Sequence, residues 1–258
     1  MIVLDGGIGR HLEKMGAPFG QPEWSALSLI QDPDFVLRAH KDFIDSGADV
    51  ITTNSYAIVP FHIGKDRFEK EGKDLLNRAG NIAREAVKLY KKEIKIAASI
   101  PPVLGSYKPD VFNSEKAIPI LEIFKNNLIQ YCDLILAETL SSIDEIKTIQ
   151  RVFGDCKMPF WISLTIEDEY YNIPKLRSGE EIVTALRKID FNKISSVLFN
   201  CSQPEVMAKA IKVAKNLVPE NTSIGVYANA FQPIKIGQRD ANSQIRNTRQ
   251  ELTPEKYF

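Results

Sequence analysis

Short runs of β-branched and other apolar residues recur along this chain, and amphipathic segments separate them in a regular order. Seven of these runs are predicted as strands, and several are apolar almost throughout. Such runs are typical of strands buried on both faces, as in a parallel sheet, because half-exposed strands alternate polar and apolar residues. The predicted strands are Ile2 to Leu4, Val50 to Thr53, Lys95 to Ile100, Leu134 to Glu138, Phe160 to Leu164, Ser196 to Phe199 and Ser223 to Tyr227.

Helix signals lie between the predicted strands. Asp32-Pro33 predicts a helix start, because Asp is a favoured N-cap and Pro fits the first helical position. The most regular apolar stripe at helical spacing runs from Leu75 to Val87. Capping-box patterns, in which a serine is followed three residues later by a glutamate, predict three more helix starts. They are Ser142-x-x-Glu145, Ser178-x-x-Glu181 and Ser202-x-x-Glu205.

The repeated strand-helix order over 258 residues favours a single α/β domain, residues 1–258, folded as a (β/α)8 barrel of the TIM type. A doubly wound sheet is the alternative. Thr253-Pro254-Glu255 predicts a helix start close to the last residue, so we expect a barrel that lacks its last helix-strand-helix. The polar stretch from Gln232 to Gln250 is predicted as a loop. An unclosed barrel exposes strand edges, which makes a homo-oligomer a further expectation.

Charge and composition disfavour several functional classes. The 33 basic and 33 acidic side chains give a formal net charge of zero, so nothing general attracts nucleic acid or an anionic membrane. No apolar run reaches the ~18 residues of a transmembrane helix. The three cysteines form no C-x-x-C pair, and the N-terminus has no signal-peptide pattern. A cytoplasmic protein is therefore expected.

Polar side chains follow most of the predicted strands. In a barrel, the active site lies at the C-terminal ends of the strands. No lysine occupies these positions, which argues against an aldolase that forms a Schiff base. Gly6-Gly7-Ile8-Gly9 also fails the dinucleotide pattern, because Leu12 stands at the third glycine position. The strand-end residues are Asp5, Thr53, Asn54, Ser99, Glu138, Thr165, Asn200, Cys201, Tyr227 and Asn229.

Two carboxylates and one thiol are the reactive groups of this set. Asp5 and Glu138 suit acid-base catalysis, and they equally suit the binding of a substrate ammonium group. Each group also has a structural interpretation: Asp5 as a turn cap, Glu138 as a partner of a nearby base, and Cys201 as a small buried apolar residue. The residue types alone leave these interpretations open.

Four segments carry a more specific signal. They are Leu4-Asp5-Gly6-Gly7, the ten residues GADVITTNSY from Gly47 to Tyr56, Ala137-Glu138-Thr139 and Asn200-Cys201-Ser202. In order and spacing they resemble the homocysteine S-methyltransferase family, which includes betaine-dependent, S-methylmethionine-dependent and cobalamin-dependent enzymes. The resemblance extends over essentially the whole chain. It implies a (β/α)8 barrel in which zinc activates the thiol of homocysteine for attack on a methyl donor, giving methionine.

The resemblance also implies roles for single residues. Cys201 would be a zinc ligand, and Asp5 and Glu138 would hold the amino group of homocysteine. Asn54 and Asn200 would be substrate-binding residues at the pocket wall. Zinc suits this chemistry because a thiol with a pKa near ~8.5 is mostly protonated at neutral pH, and coordination removes the proton.

The expected zinc ligand set is incomplete in this sequence. The family's two other ligands are adjacent cysteines in a Gly-Gly-Cys-Cys segment, which this chain does not contain. Cys132 and Cys156 precede predicted strands, so we expect them at the opposite rim. A catalytic zinc site needs three protein ligands. A truncated or degenerate barrel acting as a non-catalytic binding or assembly module is therefore an alternative. So is a metal-free lyase or hydrolase with Asp5 and Glu138 as acid and base. Sulfonium, ammonium, corrinoid and folate methyl donors all stay open.

Overall fold

A parallel β-sheet forms the centre of the computed structural model, which describes residues 1–169, 171–233 and 247–253. Within these residues the sheet has six strands, and they follow one another across it in chain order. This order is that of a barrel, because a doubly wound sheet reverses its strand order partway. The strands are β1 (Val50–Thr52), β2 (Lys95–Ile100), β3 (Leu134–Leu140), β4 (Phe160–Leu164), β5 (Ser196–Asn200) and β6 (Ser223–Tyr227).

Helices connect the strands and cover one face of the sheet. The α-helices are α1 (Ile8–Lys14), α2 (Ala26–Gln31), α3 (Pro33–Asp45), α4 (Pro60–Ile63), α5 (Lys65–Lys88), α6 (Ser114–Asn127), α7 (Ile143–Phe153), α8 (Ile182–Leu186) and α9 (Pro204–Lys215). Short 3-10 helices occupy Pro109–Val111 and Ile129–Tyr131. None of the helices in the described ranges is both long and apolar enough to cross a bilayer.

The strands contribute to two separate hydrophobic cores. The larger core joins the helices to one face of the sheet, where Ile96, Ala98 and Ile100 of β2 lie. The smaller core contains strand residues from the other face. Its buried members are Val50, Ala97, Leu134, Leu136, Trp161 and Leu198. Alternate residues of one strand therefore enter different cores, which explains why the strands read as continuous apolar runs.

The sheet is curled around the smaller core. The hydroxyl of Tyr227 on β6 lies 3.1 Å from Glu138 Oε2 on β3, although β4 and β5 separate these strands. In a flat sheet, three spacings of about 4.8 Å would keep the two side chains apart. The curvature therefore brings the ends of distant strands to one space. The structure is thus a curled six-stranded α/β sheet, and a closed eight-stranded barrel is not seen in the described residues.

Six of the seven predicted strands are confirmed as β1 to β6, with bounds close to those predicted. The predicted strand from Ile2 to Leu4 is wrong as a strand. Only Leu4 forms a bridge, a parallel one with Val50, and the Val3 carbonyl accepts hydrogen bonds from the amides of Asp49 and Val50. Ile2 and Val3 are exposed, so their side chains gain no packing from extended pairing.

The helix starts agree with the sequence in part. α3 begins at Pro33 after Asp32, but the Asp32 side chain makes no capping hydrogen bond. The predicted capping box of Ser142 and Glu145 is confirmed at α7. The other two are wrong, because α8 follows Glu181 and α9 follows Gln203 as N-cap residues. The predicted apolar stripe from Leu75 to Val87 lies within α5.

Two predictions near the end of the sequence fall largely outside the described residues. Most of the predicted loop from Gln232 to Gln250 is not described, although Phe231 and Thr248 on its borders form an antiparallel bridge. The helix start predicted at Thr253-Pro254-Glu255 also lies there, apart from Thr253.

His40 of α3 is expected to make the fold sensitive to acid. It is fully buried, and neither ring nitrogen has a hydrogen-bond partner among the described residues. Burial lowers the pKa of His40 to about 4, below the ordinary value of 6.5. The folded state thus favours neutral His40. Above pH ~6.5 the residue is neutral in both the folded and the unfolded state. As pH falls toward ~4, only the unfolded state binds the proton, so the free energy of unfolding falls by ~3 kcal/mol.

Urea unfolding of His40→Leu and of the wild-type chain at about pH 7.5 and about pH 5 tests this expectation. Leucine has no titratable group, so the variant should lose clearly less stability between the two pH values than the wild-type chain. Equal losses in both proteins would show that His40 is not the source of the acid sensitivity.

Candidate active site

A layer of polar side chains lies above the smaller apolar core, at the carboxyl ends of the strands. The alternation along each strand explains it: on β3, Leu134 and Leu136 enter the core, and Glu138 is the next residue on that face. The same step leads from Leu198 to Asn200 on β5. We call this set the polar layer: Asp5, Thr52, Ser99, Glu138, Ser163, Asn200 and Tyr227.

The two carboxylates of the polar layer are held by hydrogen-bond donors. Glu138 Oε1 accepts from the Ser99 hydroxyl at 2.5 Å, and Oε2 accepts from the Tyr227 hydroxyl at 3.1 Å. Asp5 Oδ2 accepts from the Thr52 backbone amide at 2.7 Å, and the Thr52 hydroxyl lies 3.1 Å from the same oxygen. Neither carboxylate has a Lys or Arg ion-pair partner among the residues that the structure describes.

Both carboxyl groups resist ionisation in this environment. Burial raises the pKa of Asp5 to about 8, hydrogen bonds from Thr52 oppose the shift, and the charge of Glu138 adds to it. Burial also raises the pKa of Glu138, against the hydrogen bonds from Ser99 and Tyr227. Two carboxyls without a basic partner therefore share a space in which a bound cation would favour their ionised forms.

Cys201 follows β5 and contacts the same layer. Its Sγ lies 3.2 Å from Asn200 Nδ2 and 3.7 Å from the Thr139 hydroxyl. Burial raises the pKa of the Cys201 thiol, the nearby Glu138 carboxylate adds to the increase, and hydrogen bonds from Thr139, Tyr107 and Asn200 oppose it. The thiol is therefore protonated at neutral pH in this environment.

Four non-glycine residues of the described chain have left-handed backbone conformations that favour glycine, and two of them, Thr139 and Cys201, contact each other beside the polar layer. Their φ angles are 49° for Trp24, 61° for Tyr107, 63° for Thr139 and 52° for Cys201. Such a conformation is an outlier for β-branched Thr139, next to an irregularity in the pairing of β3 with β4. Strain of this kind tends to cluster at functional sites.

Asn54 has no hydrogen bond to this cluster among the described residues. It is buried, and its Nδ2 donates to the Ser25 carbonyl at 3.0 Å. Its Oδ1 has no hydrogen-bond partner in the described part of the chain. Asn54 therefore anchors the segment before α2 and makes no hydrogen bond to the two carboxylates or the thiol.

The described residues do not form a zinc site. No group of three His, Cys, Asp or Glu side chains that suits a metal ion occurs within residues 1–169, 171–233 and 247–253. As predicted, Cys132 and Cys156 precede β3 and β4, so they lie at the amino ends of strands, opposite Cys201. Cys201 is thus a single thiol where a catalytic zinc site would need three ligands.

Four of the five predicted site residues are linked: the charge of Glu138 acts on Asp5 and on Cys201, and Asn200 contacts the Cys201 sulfur. Asn54 bonds Ser25 instead. Sequence reasoning noted Ser99 and Tyr227 as strand-end residues but did not assign them to the site. It missed Ser163 and Tyr107. Alternation along β4 could have indicated Ser163, because it lies two residues beyond Trp161 on the same face.

A curled parallel α/β sheet with paired carboxylates and a thiol at the carboxyl ends of its strands defines a barrel-type enzyme site. The chain belongs to the homocysteine S-methyltransferase family, whose profile matches residues 2–257. This membership places the chain in an enzyme class that transfers a methyl group to homocysteine.

Relatives and solved structures agree with this assignment. The chain is 29% identical to homocysteine S-methyltransferase 1 of Brassica oleracea var. italica and 28% identical to homocysteine S-methyltransferase 1 of Arabidopsis thaliana. Each alignment covers 88% of this chain and 76% of the relative. The metallated homocysteine methyltransferase MmuM of Escherichia coli shares the fold, with a TM-score of 0.76 at 23% identity over 89% of this chain and 84% of that chain.

Proposed function

We propose that this chain binds homocysteine in the space between Asp5 and Glu138 and methylates its thiol, giving methionine. The observation that supports this proposal most directly is that the partly buried carboxyl groups of Asp5 and Glu138 have no basic partner in the described residues. We also propose that the curled sheet is part of a (β/α)8 barrel, and that residues 1–258 belong to one domain.

The carboxyl pair suits the ammonium group of an amino acid. Each carboxyl keeps hydrogen bonds from neighbouring hydroxyls or amides, so it is oriented before a ligand arrives. An ammonium group that binds between Asp5 and Glu138 loses its hydrating water. Hydrogen bonds to the two carboxylates would replace that water, and bonds between charged groups are stronger than those between neutral groups. Asn200 and Asn54 would contribute to the pocket wall, each fixed by bonds to other protein atoms.

The transfer itself is a displacement at carbon. The sulfur of homocysteine forms a bond to the methyl carbon while the bond from that carbon to the donor breaks, and the electron pair leaves with the donor. A cationic sulfonium or ammonium donor leaves as a neutral molecule, and a methylated corrinoid or folate is the other donor class. The thiol proton passes to solvent before the displacement, since the thiolate is the stronger nucleophile.

Cys201 is proposed as one ligand of the zinc ion that the family resemblance implies. A complete site would need ligands beyond those in the described residues. The proposal for Cys201 rests on its place at the end of β5, with its sulfur facing the polar layer.

Mass-spectrometric detection of methionine tests the function. The chain is incubated with homocysteine and, separately, with S-methylmethionine, S-adenosylmethionine, betaine and methylated corrinoid or folate. We expect product with one donor, loss of most activity in Cys201→Ser, and unchanged activity in the matched control Cys156→Ser. Full activity in Cys201→Ser would contradict the zinc role. Binding of homocysteine without product from any donor would favour the non-catalytic binding module.

The pH dependence of ligand binding provides a separate prediction. The pKa of Asp5 is raised to about 8 in the free site, so its carboxyl group is mostly protonated below that pH. An ammonium group binds the ionised carboxylate, which is the scarce form there. Binding should therefore release a proton, and affinity should rise up to about tenfold per pH unit between about pH 6 and about pH 8.

Calorimetry with methionine measures this effect, because methionine has the same ammonium group and no thiol to titrate. Titrations in buffers of different ionisation enthalpy report the proton release. Asp5→Asn should bind more weakly and with a flatter pH profile. An unchanged profile in Asp5→Asn would show that Asp5 does not contact the ammonium group.

A further inference from the structure

Arg177 lies in the segment between β4 and α8 and is 1% exposed, one of the largest fully buried side chains of the protein. Its guanidinium forms a two-pronged pair with Asp168, at 3.2 Å from Nη1 to Oδ2 and 3.0 Å from Nη2 to Oδ1. Glu167 Oε2 lies 3.7 Å from Nη1. This buried group therefore has a fixed orientation.

The Arg177 and Asp168 pair holds the turn after β5 at two points. Arg177 Nη2 donates to the Cys201 carbonyl at 3.3 Å, and Asp168 Oδ1 accepts from the Gln203 amide at 3.0 Å. Thr165 adds a hydroxyl 3.4 Å from the Cys201 carbonyl. These bonds fix the backbone on both sides of a residue whose φ of 52° is unfavourable for an L-amino acid.

Arg177 also approaches the Cys201 side chain through Tyr107. The guanidinium carbon lies 5.4 Å from the centre of the Tyr107 ring, within the range of a cation-π contact. Tyr107 in turn neighbours the Cys201 thiol and lowers its pKa, against the effect of burial. One buried cation thus contacts the backbone of Cys201 directly and packs on a ring that neighbours its sulfur.

We propose that Arg177 is a positioning residue that holds the Cys201 thiol toward the polar layer. The significance of this role for catalysis rests on the proposed methyltransferase function. A purely structural role explains the arrangement less well, because a buried ion pair is often no more stabilising than apolar residues of the same volume. The fork of the guanidinium, which reaches Asp168 and the Cys201 carbonyl together, is what lysine cannot reproduce.

The test compares Arg177→Lys with Arg84→Lys. Arg84 of α5 also pairs with an aspartate, because its Nη2 lies 2.6 Å from Asp133 Oδ1. Asp133 directly precedes β3, so this pair lies at the amino end of the strand, away from the polar layer. Iodoacetamide alkylation at one fixed pH is followed by peptide mass spectrometry, with Cys156 as internal reference. We expect Cys201 in Arg177→Lys to react about fivefold faster, because the strained turn relaxes and the buried thiol becomes more accessible to the reagent.

Steady-state kinetics provide the second measurement. In Arg177→Lys we expect kcat to fall about tenfold, with KM for homocysteine within about twofold, because Asp5 and Glu138 still hold the substrate. Arg84→Lys should match the wild-type chain in alkylation and kinetics. If Arg177→Lys lowers only the melting temperature, the positioning role is overturned.

Thr165→Val keeps the inference testable if Arg177→Lys does not fold. It keeps the side-chain volume and removes the hydroxyl that lies 3.4 Å from both Arg177 Nε and the Cys201 carbonyl, so we expect the turn to loosen and alkylation of Cys201 to rise about threefold. An unchanged rate would overturn the positioning role. If the wild-type chain makes no methionine while alkylation responds as expected, the proposed function fails and the positioning role stands.

Discussion

Replacement of Glu138 by glutamine is expected to lower kcat/KM for homocysteine about a hundredfold, chiefly through a higher KM. The variant keeps the size of the side chain, and its one oxygen still accepts from one of the two hydroxyls, of Ser99 or Tyr227, while its NH2 group faces the other. It loses the negative charge that we assign to the substrate ammonium group. Removing one partner of a desolvated charge pair costs ~3 kcal/mol, and ~1.4 kcal/mol corresponds to a factor of ten.

A substrate analogue separates this role from others. γ-Mercaptobutyrate has the thiol and carboxylate of homocysteine but no amino group. If Glu138 holds the ammonium group, Glu138→Gln should leave methyl transfer to this analogue unchanged within about threefold. If Glu138 were instead an acid or base, as in the lyase or hydrolase interpretation, the loss would be equal for both substrates. The exposed Glu181, changed to Gln, serves as the control for a lost carboxylate away from the site.

The sequence predicted the strands well because their burial is nearly complete. Each of β2, β4 and β5 places alternate residues in the two cores, so an unbroken apolar run is the expected pattern. The segment from Ile2 to Leu4 has the same composition but not the same surroundings. Ile2 and Val3 stay exposed, and an apolar run becomes a strand only where neighbours cover it.

The capping boxes show how tertiary contacts override a local pattern. Ser142 caps α7 as predicted, since its hydroxyl accepts from the Glu145 amide. The Ser202 hydroxyl instead contacts the amide and carbonyl of Ile166, at 2.9 Å and 2.8 Å. No local sequence pattern reveals that a partner 36 residues away competes for the same hydroxyl.

The site was predictable where position along a strand determines it. Glu138 lies two residues beyond Leu136 of the smaller core, and Asp5 follows Leu4, which packs on that core, so their place at the carboxyl ends follows from topology. Tyr107 was not predictable in this way. It lies in a loop and reaches Cys201 only because the sheet curls, and its left-handed conformation has no signature in the residue type.

Asn200→Ala is expected to destabilise the protein by ~3 kcal/mol, which lowers the melting temperature by about 8 °C. Asn200 is fully buried, and its side chain bonds four protein groups. Oδ1 accepts from the Thr139 amide at 3.0 Å and from the Ser163 hydroxyl at 2.7 Å. Nδ2 lies 2.9 Å from the Thr139 hydroxyl and 3.2 Å from Cys201 Sγ. Both oxygen lone pairs and both N–H groups are therefore used.

The loss should exceed that of an ordinary buried amide because Asn200 joins two strained turns. Thr139 and Cys201 both have positive φ angles, and the Asn200 side chain bonds both. Alanine would leave the Thr139 amide buried without this partner, and an unsatisfied buried donor carries its full desolvation penalty. Urea unfolding monitored by circular dichroism measures the effect.

Matched variants assign the loss to the hydrogen bonds. Asn200→Asp keeps the acceptors for the Thr139 amide and the Ser163 hydroxyl but removes both donors, so we expect an unfolding free energy between those of alanine and wild type. Asn192 is exposed and bonds Asp190, so Asn192→Ala should change stability by less than about 0.5 kcal/mol. A loss below about 1 kcal/mol in Asn200→Ala would show that the two turns hold without the amide, because neighbouring bonds, including those from Arg177, would then suffice.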